Sequence, residues 1–161
     1  MLLTTEPVAT FAEAEQVVRH YEKRWLIEEF HKAWKSGCRV EARPLQTLDA
    51  LERMTAITAH IAVRILQLRA AAASGPEASC ETVLKSDEWQ CLWSTTQHKP
   101  LPDEPPSARW ALETLGRLAG WQDTKRTGRI GWLTLWRGWE ILQDRVLVWR
   151  AAFAAAIGAG R

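Results

Sequence analysis

Between Thr10 and Lys35 apolar residues recur at the three- and four-residue spacing of a helix, not at the alternation of a strand. Thr10 followed three residues later by Glu13 has the form of a capping box, which predicts the helix start. At about 100° per residue, Leu26, Ile27, Phe30 and Trp34 make an apolar side that is predicted to be buried. Tyr21, Arg24, Glu28 and Lys35 fall within roughly 60° of one another on the other side, with Lys32 beside them and His31 at the edge. Thr47 is predicted to open a second long helix, to about Ala73, through Leu51, Met54, Ile57, Ile61, Ile65 and Leu68. Gly75 and Pro76 end it. Its stripe suits antiparallel packing on the first helix.

A shorter helix is predicted from Ser86, with Asp87 and Glu88 favouring the dipole of its first turn and Trp89, Leu92 and Trp93 as its apolar face. Four Pro in Gln97–Ser107 predict a loop. Ser107 then caps Ala108–Ala119, and Gly120 is placed to end that helix. The last helix starts at Trp132 and repeats Trp132, Trp136, Trp139, Leu142, Val146, Trp149 and Phe153 in steps of three and four. Such a seam requires a partner helix, within the chain or on a second copy. Met1–Thr5 reads as a short strand ended by Glu6 and Pro7, with no partner strand elsewhere. The fold class is therefore mainly α, with a short orphan strand at the start.

Composition narrows the function classes. At 161 residues and 47% hydrophobic, the chain has enough apolar material for a folded core. A net charge of +2 is too small for a nucleic-acid partner to be read from the overall field, so any such contact rests on local clusters. One lies in the connector after Gly37, at Arg39 and Arg43, and another at Lys125, Arg126 and Arg129; either can meet phosphate or stand solvated in a loop. Cys38, Cys80 and Cys91 form no metal-binding pair and no even disulfide set, which fits a reducing cytoplasm. Apolar tracts stay well short of the roughly 20 residues needed to cross a bilayer, so no membrane partner is expected. Ten Trp suit helix seams and interfaces, each indole N–H requiring a partner.

The polar stripe alone reads as a solvated face with i,i+4 pairs worth about 0.3–0.5 kcal/mol each. Its ordered form, Y-(2)-R-(3)-E-(6)-K at Tyr21, Arg24, Glu28 and Lys35, resembles the signature of bacterial cut-and-paste DDE transposases of the insertion-sequence-four family. The flanking runs LLTTEPV, RWLIEEFHKAWKSG, LERM and AVRILQLR agree, and DTKRTGRIGWLTLWRGWEIL from Asp123 to Leu142 is similar to that family's carboxyl-terminal dimerisation region.

The resemblance implies that residues 1–73 are the end of a ribonuclease-H-like catalytic domain and residues 74–161 a helical dimerisation domain. It implies that Glu28 is a catalytic, metal-ligating carboxylate, with Tyr21, Arg24, Lys32, Lys35, Arg39 and Arg43 as DNA contacts. By the same resemblance the interface would be Trp132, Trp136, Trp139, Leu142, Val146, Trp149 and Phe153. The family's chemistry sets two Asp and one Glu around two divalent cations, Mg²⁺ or Mn²⁺, for in-line attack on a phosphodiester. Its two Asp precede the Glu, whereas every Asp here follows Glu28. The chain thus resembles the carboxyl-terminal third of such an enzyme, expected to be inactive alone and to hold no metal tightly. Implied partners are transposon-end DNA and a second copy or a full-length transposase. Two alternatives stay open: a dimerising inhibitor of the full-length enzyme, and a non-catalytic helical interaction module.

Overall fold

The structure, a computed structural model, describes residues 4–37 and 44–159, and it is mainly helical. Helices α1 (Phe11–Glu22) and α2 (Arg24–Lys32) lead into a π-helical turn, Ala33–Gly37. Then come α3 (Leu48–Ser74), a 3₁₀ turn at Cys80–Thr82, α4 (Ser86–Gln97), α5 (Ala108–Leu118) and α6 (Trp132–Ala159). Of the expected strand, Met1–Leu3 lie outside the described residues, and Thr4 and Thr5 are not in a strand.

Local chemistry sets the helix ends. Glu13 Oε2 accepts from the Thr10 and Ala9 N–H groups at 2.8 and 2.7 Å, and Thr10 Oγ1 accepts from Glu13 N at 3.3 Å, completing the capping box. The backbone bonds from Ala9 and Thr10 hold the Glu13 carboxyl below the usual carboxylate range. Thr47 Oγ1 and Ser107 Oγ cap α3 and α5 in the same manner, accepting from Ala50 and Trp110. Gly120, at φ +85°, closes α5 as a Schellman turn: its N–H bonds Arg117 O at 3.0 Å and Trp121 N–H bonds Gly116 O at 2.9 Å.

The first predicted helix is divided. At Lys23 (φ −74°, ψ −10°) the chain takes a tighter turn, with Lys23 N–H on His20 O at 3.2 Å, and α2 restarts one residue later. The burial expected for its apolar side holds only at the far end. Phe30 and Trp34 pack against the core, their rings stacked at 5.8 Å, while Leu26 is 38% and Ile27 60% exposed. A π turn has i→i+5 bonding and so rotates less per residue than an α-helix. Trp34 is carried back into line with Phe30, and Ile27 stays outside.

One core joins α3, α4, α5 and α6 and reaches Ala33 of the π turn; Ala62, Leu68, Leu92, Ala111, Leu115 and Leu135 are fully covered in it. Helix α3 packs on the π turn and α2, both within the first predicted helix, and to a similar extent on α5, a partner its stripe alone did not name. The α6 seam has its partner inside the chain. Trp136, Trp139, Leu142 and Val146 are at most 5% exposed, covered by the chain's own helices. Trp132 and Trp149 are partly buried against the same core, and the side chain of Phe153 lies outside the described residues. Trp136, Trp139, Leu142 and Val146, which the resemblance assigns to an interface between copies, are therefore covered within the folded chain.

Helices α5 and α6 cross at Gly138. A Cβ there would stand 2.0 Å from Leu115 O, backbone that has no side chain to swing away. Gly138→Ala is expected to cost at least the 1–3 kcal/mol or so typical of overpacking, read as a lower denaturant midpoint. Gly116→Ala meets only the Ile130 side chain, at 2.9 Å, and is expected to cost less.

Candidate functional site

The polar stripe occupies the outer side of α1 and α2. Tyr21 lies in the last turn of α1 and is 52% exposed, and Arg24 opens α2 with its guanidinium carbon 5.7 Å from the Tyr21 ring centroid. Arg24 Nη1 pairs with Glu28 Oε1 at 2.9 Å, both side chains more than half exposed. Such a pair contributes about 0.5 kcal/mol or less and can open without penalty to the fold. The structure thus brings Tyr21, Arg24 and Glu28 together on one accessible face.

Lys32 turns elsewhere. Its Nζ bonds Glu29 Oε1 at 2.9 Å, and that bond with the Glu29 charge raises its pKa. Lys35 is exposed within the π turn, so its direction relative to Glu28 follows that turn and not the seven-residue α spacing. Arg39 and Arg43 lie outside the described residues. His31 is exposed beside the Phe30 and Trp34 rings.

What this face can do chemically follows from its groups. Arg24 and Lys35 are exposed cations suited to phosphate oxygens, and Tyr21 adds a phenol that can reach sugar or backbone. Glu28 is a single carboxylate already shared with a guanidinium. A two-metal centre requires several carboxylates converging from different elements, and no group of three His, Cys, Asp or Glu side chains converges among the described residues. The described donor set does not fit a resident two-metal site.

Flanking the stripe, a groove of about 750 Å³ separates α2 from α3 and α5, lined by Trp25, Leu26 and Glu29 on one wall and by Arg69, Arg109 and Arg129 on the other. Arg69 is committed to the fold. It donates to Ile130 O and lies over the Trp132 ring at 3.6 Å, with burial depressing its pKa.

Sequence reasoning missed a second polar cluster, inside the core. Arg64 meets Glu88 through two bonds, Nη1–Oε1 at 3.0 Å and Nη2–Oε2 at 2.7 Å, and also donates to Val83 O. Gln143 Nε2 and the Lys85 N–H complete the carboxylate at 2.9 and 2.8 Å, and the Arg64 guanidinium covers the Trp139 ring at 4.6 Å. Burial alone would raise the Glu88 carboxyl, but the bonds from Arg64, Lys85 and Gln143 outweigh it and hold the group below its ordinary range. The signal was present in AVRILQLR, where Arg64 interrupts a run that is otherwise apolar through Leu66.

Residues 4–64 match the family model for the transposase DDE domain. The matched span holds α1, α2, the π turn and more than half of α3, and with them the whole exposed stripe including Glu28. No described helix is long and apolar enough to cross a membrane.

Proposed function

We propose that this chain is the Glu-bearing helical part of a cut-and-paste DDE transposase, with the outer face of α1 and α2 as its contact with transposon-end DNA. The observation that carries the reading is a coincidence: the DDE-domain match covers the stretch where Tyr21, Arg24 and Glu28 stand together, exposed, on one face. On this reading Arg24, Lys32 and Lys35 bind phosphates, Arg39 and Arg43 extend the contact, and Tyr21 meets backbone or sugar. Glu28 is one metal-ligating carboxylate of the intact enzyme, where Mg²⁺ or Mn²⁺ supplies the Lewis acid for phosphodiester attack. The family's two Asp have no counterpart before Glu28, so this chain alone is proposed to hold no catalytic metal tightly.

Two outcomes test it. Binding of duplex DNA should weaken with salt, and Arg24→Ala and Lys35→Ala should each lower the slope of log K against log salt by about 0.9, one phosphate apiece. An unchanged slope in both variants means that the stripe is not a phosphate reader. The purified chain should neither nick nor join plasmid DNA in Mg²⁺ or Mn²⁺; metal-dependent cleavage that vanishes on Glu28→Gln would overturn the assignment of an incomplete site.

A second reading, association with another copy or with a full-length transposase and hence inhibition, draws support from the end of α6. There Leu147 and Val148 are 63% and 70% exposed, and Ala151, Ala152 and Ala155 continue that face at four-residue spacing. Sedimentation equilibrium decides it: a monomer at about 100 μM, where micromolar interfaces are filled, defeats self-association.

A further inference from the structure

The π turn is held from two sides. Ala33 and Gly37 are buried in it, and a Cβ on Gly37 would stand 3.4 Å from Trp132 O, so small residues let the turn lie close against α6. On the α3 side, Trp34 Nε1 donates to Thr58 Oγ1 at 2.8 Å. Thr58 is 1% exposed, and its own hydroxyl proton goes to Met54 O at 2.7 Å, which leaves an oxygen lone pair aimed at the indole. Lys35, next to Trp34 in this anchored turn, is exposed.

An α-helix would return Lys35 to the Glu28 face after two turns. The π turn rotates the chain less per residue, so the place where Lys35 stands relative to Arg24 is decided by whatever keeps that turn wound. We propose that the Trp34–Thr58 hydrogen bond is this device, and that Trp34 and Thr58 are positioning residues for the Lys35 contact with DNA phosphate; the inference rests on the reading of the α1–α2 face given above. Neither residue touches DNA. Each acts through the direction of its neighbour's cation.

The test uses the full chain and a fluorescein-labelled mixed-sequence duplex of about 20 base pairs, with affinity read by anisotropy over a salt series. Lys35→Ala is expected to lower the salt slope by about 0.9, and Trp34→Phe and Thr58→Val to lower it by a similar amount. Thr58→Ser keeps the hydroxyl and should keep the wild-type slope. Trp34→Phe combined with Lys35→Ala should lose no more than either alone, because both remove one contact. Trp34→Phe retains a ring to stack on Phe30, and circular dichroism checks that each variant is folded. Should Trp34→Phe unfold, the contrast between Thr58→Val and Thr58→Ser carries the test.

Wild-type slopes in Trp34→Phe and Thr58→Val beside a lowered slope in Lys35→Ala overturn the positioning role and leave the DNA face standing. A lower melting temperature with no change of slope has the same meaning. A wild-type slope in Lys35→Ala removes the phosphate contact, and the positioning role falls with it.

Discussion

Arg64→Ala is expected to destabilise the folded chain by about 3–5 kcal/mol, a large share of the roughly 5–15 kcal/mol available to a domain. The reason is what remains behind. Glu88 is 2% exposed, and its carboxylate would keep only the Lys85 N–H and Gln143 in place of a two-point guanidinium. The pH dependence identifies the cause. In the wild type the Glu88 carboxyl is held below its ordinary value of 4.5, so its contribution is fully present above that pH and is lost as pH falls through the folded value. Without Arg64, burial is left to raise the carboxyl, and the variant recovers stability as acid neutralises it. The gap between variant and wild type should therefore be widest near neutrality and narrow toward pH 4 or so, measured by urea titration at each pH. Replacing both partners, Arg64→Met with Glu88→Gln, should cost less than Arg64→Ala. A gap that is flat with pH would show that lost packing of the arginine stem, and not an unpaired carboxylate, sets the cost.

Trp139→Ala is expected to cost a similar 3–5 kcal/mol, the usual range for removing a large buried aromatic side chain. Trp139, on α6, is 2% exposed in the common core and carries the guanidinium of Arg64, from α3, on its face. Truncation leaves a cavity and strips the cation of its ring. For a chain of this size the melting temperature should fall by roughly 6–20 °C, at about 2–4 °C per kcal/mol. Mass in solution should not change, since the residue is already covered by its own chain. A variant that melts like the wild type but loses self-association would restore Trp139 to an interface. Combined with Arg64→Ala, the loss should be less than the sum, because the two side chains touch.

The sequence by itself determined the capped helix ends, though not the break at Lys23. Thr10 with Glu13, Thr47, Ser107 and Gly120 act through bonds to backbone within about four residues, so their effect is written locally and each stands in the structure as read. The same holds for the exposed side of α1 and α2, because helical periodicity separates Tyr21, Arg24 and Glu28 from Phe30 without help from the rest of the chain. Resemblance, not periodicity, gave that face a chemical meaning, and the DDE-domain match over residues 4–64 falls on it. Tertiary structure decided the rest. Whether the α6 seam is covered by its own chain depends on three other helices, α3, α4 and α5, which place Ala62, Leu92 and Leu115 in one core with it. That Arg64 serves Glu88, 24 residues on, could not be read from either residue's neighbours, because a charge in an apolar run announces a partner but not which one. The π turn at Ala33–Gly37 is bonded to α3 through Trp34 and Thr58 and lies close against α6 at Gly37, and no spacing rule within the helix contains those contacts.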